Sequence, residues 1–72
     1  MTYGITSEAE AKATILNHTR RFGGELRVIF YYKDSSFYVE WSKGDKVVFE
    51  KFEGEDTVSW GEVMLDKIKQ IL

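Results

Sequence analysis

The sequence contains neither cysteine nor proline among its 72 residues. The lack of cysteine excludes disulfides and thiolate metal sites, and it is compatible with a reducing intracellular compartment. Twelve acidic residues against ten basic ones give a net charge of −2, so the chain as a whole has no attraction for nucleic acid or anionic membranes. The opening MTYGITSEAE has no basic stretch followed by an apolar one, and no run of about 18 apolar residues occurs. We expect one small domain, residues 1–72, in a soluble cytoplasmic protein.

The first helical pattern lies in TSEAEAKATILNHTRRFGG. Ser7 followed three residues later by Glu10 is the pattern of a capping box, and the pair Gly23 and Gly24 marks an end. The spacing predicts a helix over residues 7–22. Its inward face, read at 100° per residue, consists of Ile15, Leu16, Thr19 and Phe22, with Ala9 and the stem of Lys12 at its edges.

The second helical pattern, GEDTVSWGEVMLDKIKQIL, closes the chain. Ser59 and Glu62 form another capping-box pattern, which predicts a helix over residues 59–72. Acidic residues at 53, 55 and 56 precede it, and we expect their charge to stabilise the helix N-terminus, with a weak cation site as the alternative. The predicted apolar face consists of Trp60, Met64, Leu65, Ile68, Ile71 and Leu72.

Between the helices the apolar period changes to two, and this predicts strands over residues 25–33, 36–42 and 46–52. We expect an α+β fold of order α-β-β-β-α: a three-stranded antiparallel meander with two helices packed on one face. A first hairpin that turns at Asp34 and Ser35 separates two sheet faces. The first face carries Leu26, Val28, Phe30, Tyr32, Phe37, Val39 and Trp41. The second face carries Arg27, Ile29, Tyr31, Tyr38 and Glu40.

The faces of the third strand depend on the loop before it, because a slip by one residue exchanges them. A two-residue loop at 44–45 would place Glu50 inside the core. A three-residue loop at 42–44, with Gly44 left-handed at a bulge, keeps that carboxylate outside, and we favour it. With this three-residue loop, the side chains that point to the core are Val47 and Phe49. The second face then carries Lys46, Val48, Glu50 and Phe52.

Aromatic side chains with a charged rim make the second face typical of a recognition surface. We predict a protein-binding face that consists of Ile29, Tyr31, Tyr38, Val48 and Phe52. Its partner is a second copy stacked on this face, which gives a homodimer, or a different protein. Alternatively, Tyr3 and Ile5 fold across the face, or its tyrosines stand in water. Base stacking of single-stranded nucleic acid on the aromatic rings is a further interpretation.

The third strand also lies at an edge of the predicted sheet. Its run VVFEKF suits the addition of a strand from a partner, which would pair with free backbone groups. Lys46, Glu50 and Lys51 equally suit a guard against aggregation at that edge.

The sequence offers no convergent set of nucleophile, base and acid. His18, the one histidine, lies a step outside the apolar stripe of the first helix, and we expect it at the surface or at the boundary of the core. The glycine pairs in RFGGEL and KGDK follow a helix and a strand rather than lead into a helix, so they do not form a phosphate cradle. We expect no enzyme activity, no cofactor and no metal site.

The α-β-β-β-α order resembles the topology of double-stranded RNA-binding domains across most of the chain. In that family a basic cluster at the start of the second helix contacts phosphates, and the first helix and first hairpin loop enter minor grooves. The corresponding stretches here are GEDTVSWGE, which is acidic, and KDSS. The resemblance implies nucleic-acid binding as an alternative function, with contacts from Arg20, Arg21, Arg27 and Lys33.

From these observations we expect a non-enzymatic protein-interaction module of the small inhibitor or adaptor type, or a homodimer, that uses the second sheet face. The first alternative is the nucleic-acid-binding domain just described. The second is a purely structural or designed domain, because caps, turns and alternation agree closely with one another.

Overall fold

The computed structural model describes residues 7–72, and their order confirms the predicted α-β-β-β-α fold. Helix α1 spans Glu8–Thr19 and continues as one 3-10 turn, Arg20–Phe22. Strands β1 (Glu25–Tyr31), β2 (Ser36–Lys43) and β3 (Lys46–Glu53) form an antiparallel sheet in the order β1-β2-β3, and helix α2 spans Thr57–Ile71. Tyr3 and Ile5, which one of the alternatives places across the second face, lie outside the described residues. Over residues 7–72, neither helix has the length and hydropathy that crossing a bilayer requires.

Helix α1 begins with the predicted capping box. The Glu10 amide donates to Ser7 Oγ at 3.1 Å, and the Ser7 amide donates to the Glu10 carboxylate at 3.2 Å. The inward face is Ala11, Ile15 and Thr19, all fully buried, so the predicted inward position of Leu16 is wrong: that side chain is 37% exposed. These three residues are spaced four apart and form the row that α2 buries. The row is displaced around the helix from the predicted apolar face.

The turn after α1 requires glycine. Gly23 and Gly24 have φ angles of 72° and 80°, the left-handed region in which a side chain is strained. A Cβ on Gly24 would also lie 2.5 Å from the Ser42 carbonyl oxygen, so no larger residue fits. This close approach brings the end of α1 onto the sheet, where the Trp41 indole donates to the Gly23 carbonyl at 2.8 Å.

Helix α2 begins two residues before the predicted start. Its N-cap is Asp56, whose side chain accepts from the Ser59 amide at 3.1 Å, so the predicted cap at Ser59 is wrong. Trp60, Met64 and Ile68 are buried as predicted, together with Gly61. The predicted inward positions of Ile71 and Leu72 are wrong, because no described element covers the end of α2. Their exposed fractions are 38% and 55%.

The first hairpin has a four-residue loop, residues 32–35, instead of a turn at Asp34 and Ser35 alone. Phe30 pairs with Phe37 and Ile29 with Tyr38, which differs from the predicted register by two residues. A shift of two leaves every side chain of the paired strands on its predicted face. Tyr32 is the exception, because it belongs to the loop and is 75% exposed.

The second hairpin contradicts the predicted register. Lys43 pairs with Lys46 across a two-residue loop, and Gly44 at its first position has a φ of 62°, as a type II′ turn requires. The covered face of β3 therefore carries Val48, Glu50 and Phe52. Glu50 is not isolated in the core: it lies on an edge strand, its side chain is 27% exposed, and its carboxylate is 2.9 Å from Lys67 Nζ on α2.

The core lies between the helices and one face of the sheet, which we call the covered face. Trp60 stacks on Phe52 at 5.3 Å between ring centroids and contacts Phe37 at 5.0 Å, so α2 is anchored by an aromatic cluster. Phe30 on β1 extends the cluster, with its ring centroid 4.7 Å from that of Phe37. The buried hydrophobic residues are Ala11, Ile15, Leu26, Phe37, Val39, Trp41, Val48, Trp60, Met64 and Ile68.

Candidate protein-binding face

The other face of the sheet carries a second set of apolar side chains, and the helices do not cover it. We call it the aromatic face, defined by Ile29, Tyr31, Tyr38, Val47 and Phe49. Tyr38, on the central strand, is half-buried by its neighbours, and the other four are exposed by 46% to 57%. The sheet thus presents apolar side chains on both sides, whereas a monomeric antiparallel sheet normally places polar residues on the side away from the core.

Three of the five predicted site residues lie on this face: Ile29, Tyr31 and Tyr38. The predicted positions of Val48 and Phe52 are wrong, since both side chains point to the covered face and pack in the core. Their places on the aromatic face are taken by Val47 and Phe49. Two signals could have identified them: a glycine and an aspartate suited to a two-residue hairpin loop, and a lysine on the second helix able to neutralise a glutamate on the covered face.

The aromatic rings form a row that crosses all three strands. Tyr31 meets Tyr38 edge to face with 6.2 Å between ring centroids, and Tyr38 meets Phe49 at 5.8 Å. Each contact is diagonal, because Tyr38 lies directly opposite Ile29 on one side and Lys51 on the other. Rings in such contacts restrain one another, so the face is a preformed surface with little side-chain freedom left to lose on binding.

A set of charged groups fixes one end of the row. Lys51 Nζ lies 5.9 Å from the centroid of the Tyr38 ring and 3.3 Å from the Asp34 carboxylate. Hydrogen bonds from Ser36 and from Lys51 lower the pKa of Asp34, and the hydrogen bond to Asp34 raises the pKa of Lys51. Ser36 is fully buried and donates to Asp34 at 2.6 Å. These bonds tie the first hairpin loop to β3 beside the aromatic row.

The remaining charges surround the apolar side chains. Arg27 on β1 and Glu40 on β2 are cross-strand partners on this face. With Glu25 and Glu53 at the ends of their strands and Lys51, the face carries three acids and two bases. Its rim is therefore mixed in sign with a slight acidic excess, which suits a partner with a basic rim.

The four cations of the nucleic-acid alternative lie in three places in the fold. Arg20 and Arg21 lie in the 3-10 turn after α1, where the Arg21 guanidinium is 5.1 Å from the Phe22 ring centroid. Arg27 projects from the aromatic face, and Lys33 lies in the loop beyond the other end of β1. A seven-residue strand is about 20 Å long, so Lys33 and the start of β1 lie roughly that far apart.

The half-buried His18 has a structural environment. Its Nδ1 is 2.9 Å from the Thr14 carbonyl oxygen, and its ring lies against Gly61, where α1 and α2 cross. Among residues 7–72, no group of three or more histidine, aspartate or glutamate side chains is placed to hold a metal ion. The acidic residues before α2 include its N-cap, Asp56, which agrees with the expected role at the helix N-terminus.

The aromatic face is thus an apolar surface of the described residues that neither helix covers. The turn after α1 accounts for Gly23 and Gly24, and the second hairpin accounts for Gly44. No protein-family model, curated protein or solved structure matches this chain.

Proposed function

We propose that this chain is a non-enzymatic protein-interaction module of the small inhibitor or adaptor type that acts in the cytoplasm. The aromatic face is its binding surface. One observation carries the proposal: five apolar or aromatic side chains form a continuous surface across three strands, and four of them are about half exposed. Both helices pack on the covered face.

The size of this surface is sufficient for specific binding. Half-exposed side chains of this kind offer an apolar area on the order of 400 Å², and contiguous patches above a few hundred Å² on monomers commonly mark interaction sites. Burial of that area contributes roughly 10 kcal/mol before the entropic cost of association is subtracted. Tyrosine also dominates binding hot spots, because a ring buries a large area at little conformational cost.

The charges on the face disfavour one arrangement of a stacked second copy. Glu40 lies on the central strand, so a stack with its two-fold axis along that strand would bring two Glu40 carboxylates together. Like charges in direct opposition are unfavourable at an interface. We assign the aromatic face to a partner that presents an apolar patch with a basic rim, and a face-to-face dimer is an outcome that the test below distinguishes.

The test compares variants of the face with a matched control. Tyr38→Glu and Ile29→Glu place a charge at the centre of the surface, and Gln70→Glu places the same charge on the exposed side of α2. Each immobilised protein is incubated with an extract of the source cells, and retained proteins are identified by mass spectrometry. Circular dichroism establishes that each variant is folded.

We expect a partner that wild type and Gln70→Glu retain and that both face variants lose. In isothermal titration calorimetry, the purified partner should then bind wild type and Gln70→Glu more tightly than either face variant. Retention by folded Tyr38→Glu at the wild-type level would overturn the proposal. Loss of a self-associated species, in place of a second protein, would reassign the face to the stacked homodimer.

A further inference from the structure

The backbone of β3 offers unpaired hydrogen-bonding groups along the outer edge of the sheet. In an antiparallel ladder, alternate residues of a strand point their N–H and C=O groups to opposite sides. The Phe30 amide donates to Glu8 at 2.6 Å, which shows that the even-numbered residues of β1 point away from β2. The register of the three strands extends this alternation to β3. There the backbone groups of Val47, Phe49 and Lys51 point away from β2.

The two edges of the sheet differ in how these groups are treated. At the β1 edge, the Glu8 carboxylate of α1 accepts the outward amide of Phe30. At the β3 edge, no hydrogen bond from any described residue reaches the outward groups of Val47, Phe49 or Lys51. An open edge with two half-exposed apolar side chains, Val47 and Phe49, is a template for pairing with another strand.

Two charges on β3 lie symmetrically about Val48 and have opposite signs. Lys46 and Glu50 are two residues to either side of it, on the same face of the strand. When two copies of β3 run antiparallel with Val48 opposite Val48, Lys46 of each copy meets Glu50 of the other, which gives two complementary pairs. Val47 then lies opposite Phe49, and outward backbone groups face outward backbone groups, as the ladder requires.

Neighbouring registers with the same backbone parity lack this match. A pairing centred on Phe49 sets Lys46 against Phe52 and Glu50 against Val48, so neither charge meets an opposite one, and a pairing centred on Glu50 sets that carboxylate against its own copy. Centring on Lys51 opposes two lysines, and centring on Val47 pairs only residues 46–48 of the two strands. Like charges in direct opposition destabilise a strand pair, so the Val48-centred register is the favourable one.

We propose that a second copy of this chain pairs with the β3 edge in that register and forms a six-stranded sheet about a two-fold axis at Val48. The interface is isologous, as a closed dimer needs. It also joins the two aromatic faces into one surface, because Phe49 of one protomer lies beside Val47 of its partner. This inference goes beyond the proposed function and does not rest on it, since it uses backbone groups of the edge.

The first test removes an outward donor. Val47→Pro deletes an amide that points away from β2, so the hydrogen bonds that hold β3 in the monomer are retained. Sedimentation velocity of wild type over about 10 μM to 1 mM should show a concentration-dependent species of twice the chain mass, and folded Val47→Pro should remain a monomer. A wild type that stays monomeric throughout, or a Val47→Pro that dimerises equally, would overturn the proposal.

The second test reverses the charges. Lys46→Glu sets two pairs of glutamates in opposition across the axis, and we expect the dimer dissociation constant to rise about tenfold or more. Glu50→Lys combined with Lys67→Glu gives the complementary protomer and keeps its intrachain ion pair, in reversed sense. Each variant should dimerise weakly alone, and an equimolar mixture should form heterodimers at the wild-type affinity. A mixture no better than either variant would overturn the register.

The variant Tyr38→Glu separates this inference from the proposed function. The ring of Tyr38 contacts Phe49, but Tyr38 lies on the central strand and its backbone takes no part in the β3 edge. It should therefore dimerise like wild type while it loses the partner of the aromatic face. Loss of the dimer in folded Tyr38→Glu would contradict pairing at the edge and favour stacking of the faces.

Discussion

The two faces of the sheet have similar apolar content, but one is buried and the other is exposed. On the covered face Val39 and Trp41 are exposed by 0% and 1%, whereas on the aromatic face Ile29 and Phe49 are exposed by 50% and 57%. Both sets have the side chains from which cores are made. The difference is the cover supplied by α1 and α2. Apolar alternation in a strand therefore shows where a sheet can be buried, and the neighbouring elements decide which side is.

The comparison is sharpest within β3, where two identical neighbours have opposite environments. Val47 is 54% exposed and Val48 is 6% exposed. The two-residue loop at 44–45 sets this parity, and the ion pair between Glu50 and Lys67 makes it compatible with the core. The composition of the aromatic face is thus a consequence of one turn and one ion pair.

The largest expected effect comes from an aromatic anchor of the covered face. Trp60→Ala removes a side chain that is 4% exposed and contacts two other rings. We expect a loss of about 3–5 kcal/mol in the free energy of unfolding, enough to unfold most of a domain of this size. Tyr31→Ala on the aromatic face should lose under about 1 kcal/mol. Urea denaturation followed by circular dichroism measures both, and similar losses would contradict the contrast between the faces.

The second effect concerns the helices that provide the cover. A Cβ on Gly61 would lie 2.8 Å from His18 Cγ, so Gly61→Ala should separate α1 from α2 and destabilise the protein by about 1–3 kcal/mol. Helix propensity alone would give the opposite sign, because alanine is the better helix former. The double variant with His18→Ala should recover much of the loss in the same denaturation experiment. A stabilised single variant would show that the helices are not in close contact at this point.

The third effect sharpens the comparison within β3. Val48→Thr puts a hydroxyl into the covered face and should lower the free energy of unfolding by about 1–2 kcal/mol. The identical change at its neighbour, Val47→Thr, should stay within about 0.5 kcal/mol of wild type. Thermal and urea unfolding of the pair give the answer. The reverse order of stabilities would mean that β3 has the register with a three-residue loop.

The smallest effect concerns the ionic contact beside the aromatic row. The pKa of Asp34 is lowered in the folded protein by hydrogen bonds from Ser36 and Lys51, so its stabilisation is present above the ordinary pKa of 3.8 and lost as the pH falls through the folded value. The raised pKa of Lys51 gives stabilisation that is lost only above its ordinary 10.5. Melting temperatures of wild type and Asp34→Asn should differ slightly between about pH 5 and pH 10 and converge in acid. A difference that persists at pH 2 would contradict this assignment.

The fold class and the element types were predictable because their signals are local. The capping box of Ser7 and Glu10, the change of period at Glu25 and the glycine pair before it lie within a few residues of the structures that they determine. The faces of β1 and β2 were predictable as well, because the error of two residues in their register does not exchange faces.

The register of β3 was not predictable by the same reasoning. On the strand alone, a buried Glu50 is a cost to the core, but the lysine that compensates this carboxylate lies 17 residues later on α2. Only the packing of that helix on the sheet brings Lys67 to the carboxylate. Two of the five predicted site residues were wrong for this reason, and the contacts within the aromatic row became visible only with the correct register.

The measurement that tests the account most directly is the binding and folding of Tyr38→Glu, compared with Gln70→Glu. The account predicts native circular dichroism and a cooperative thermal transition for both variants, with the partner of wild type retained by Gln70→Glu and lost by Tyr38→Glu. A folded Tyr38→Glu that retains the partner at the wild-type level would show that the aromatic face is not the binding surface.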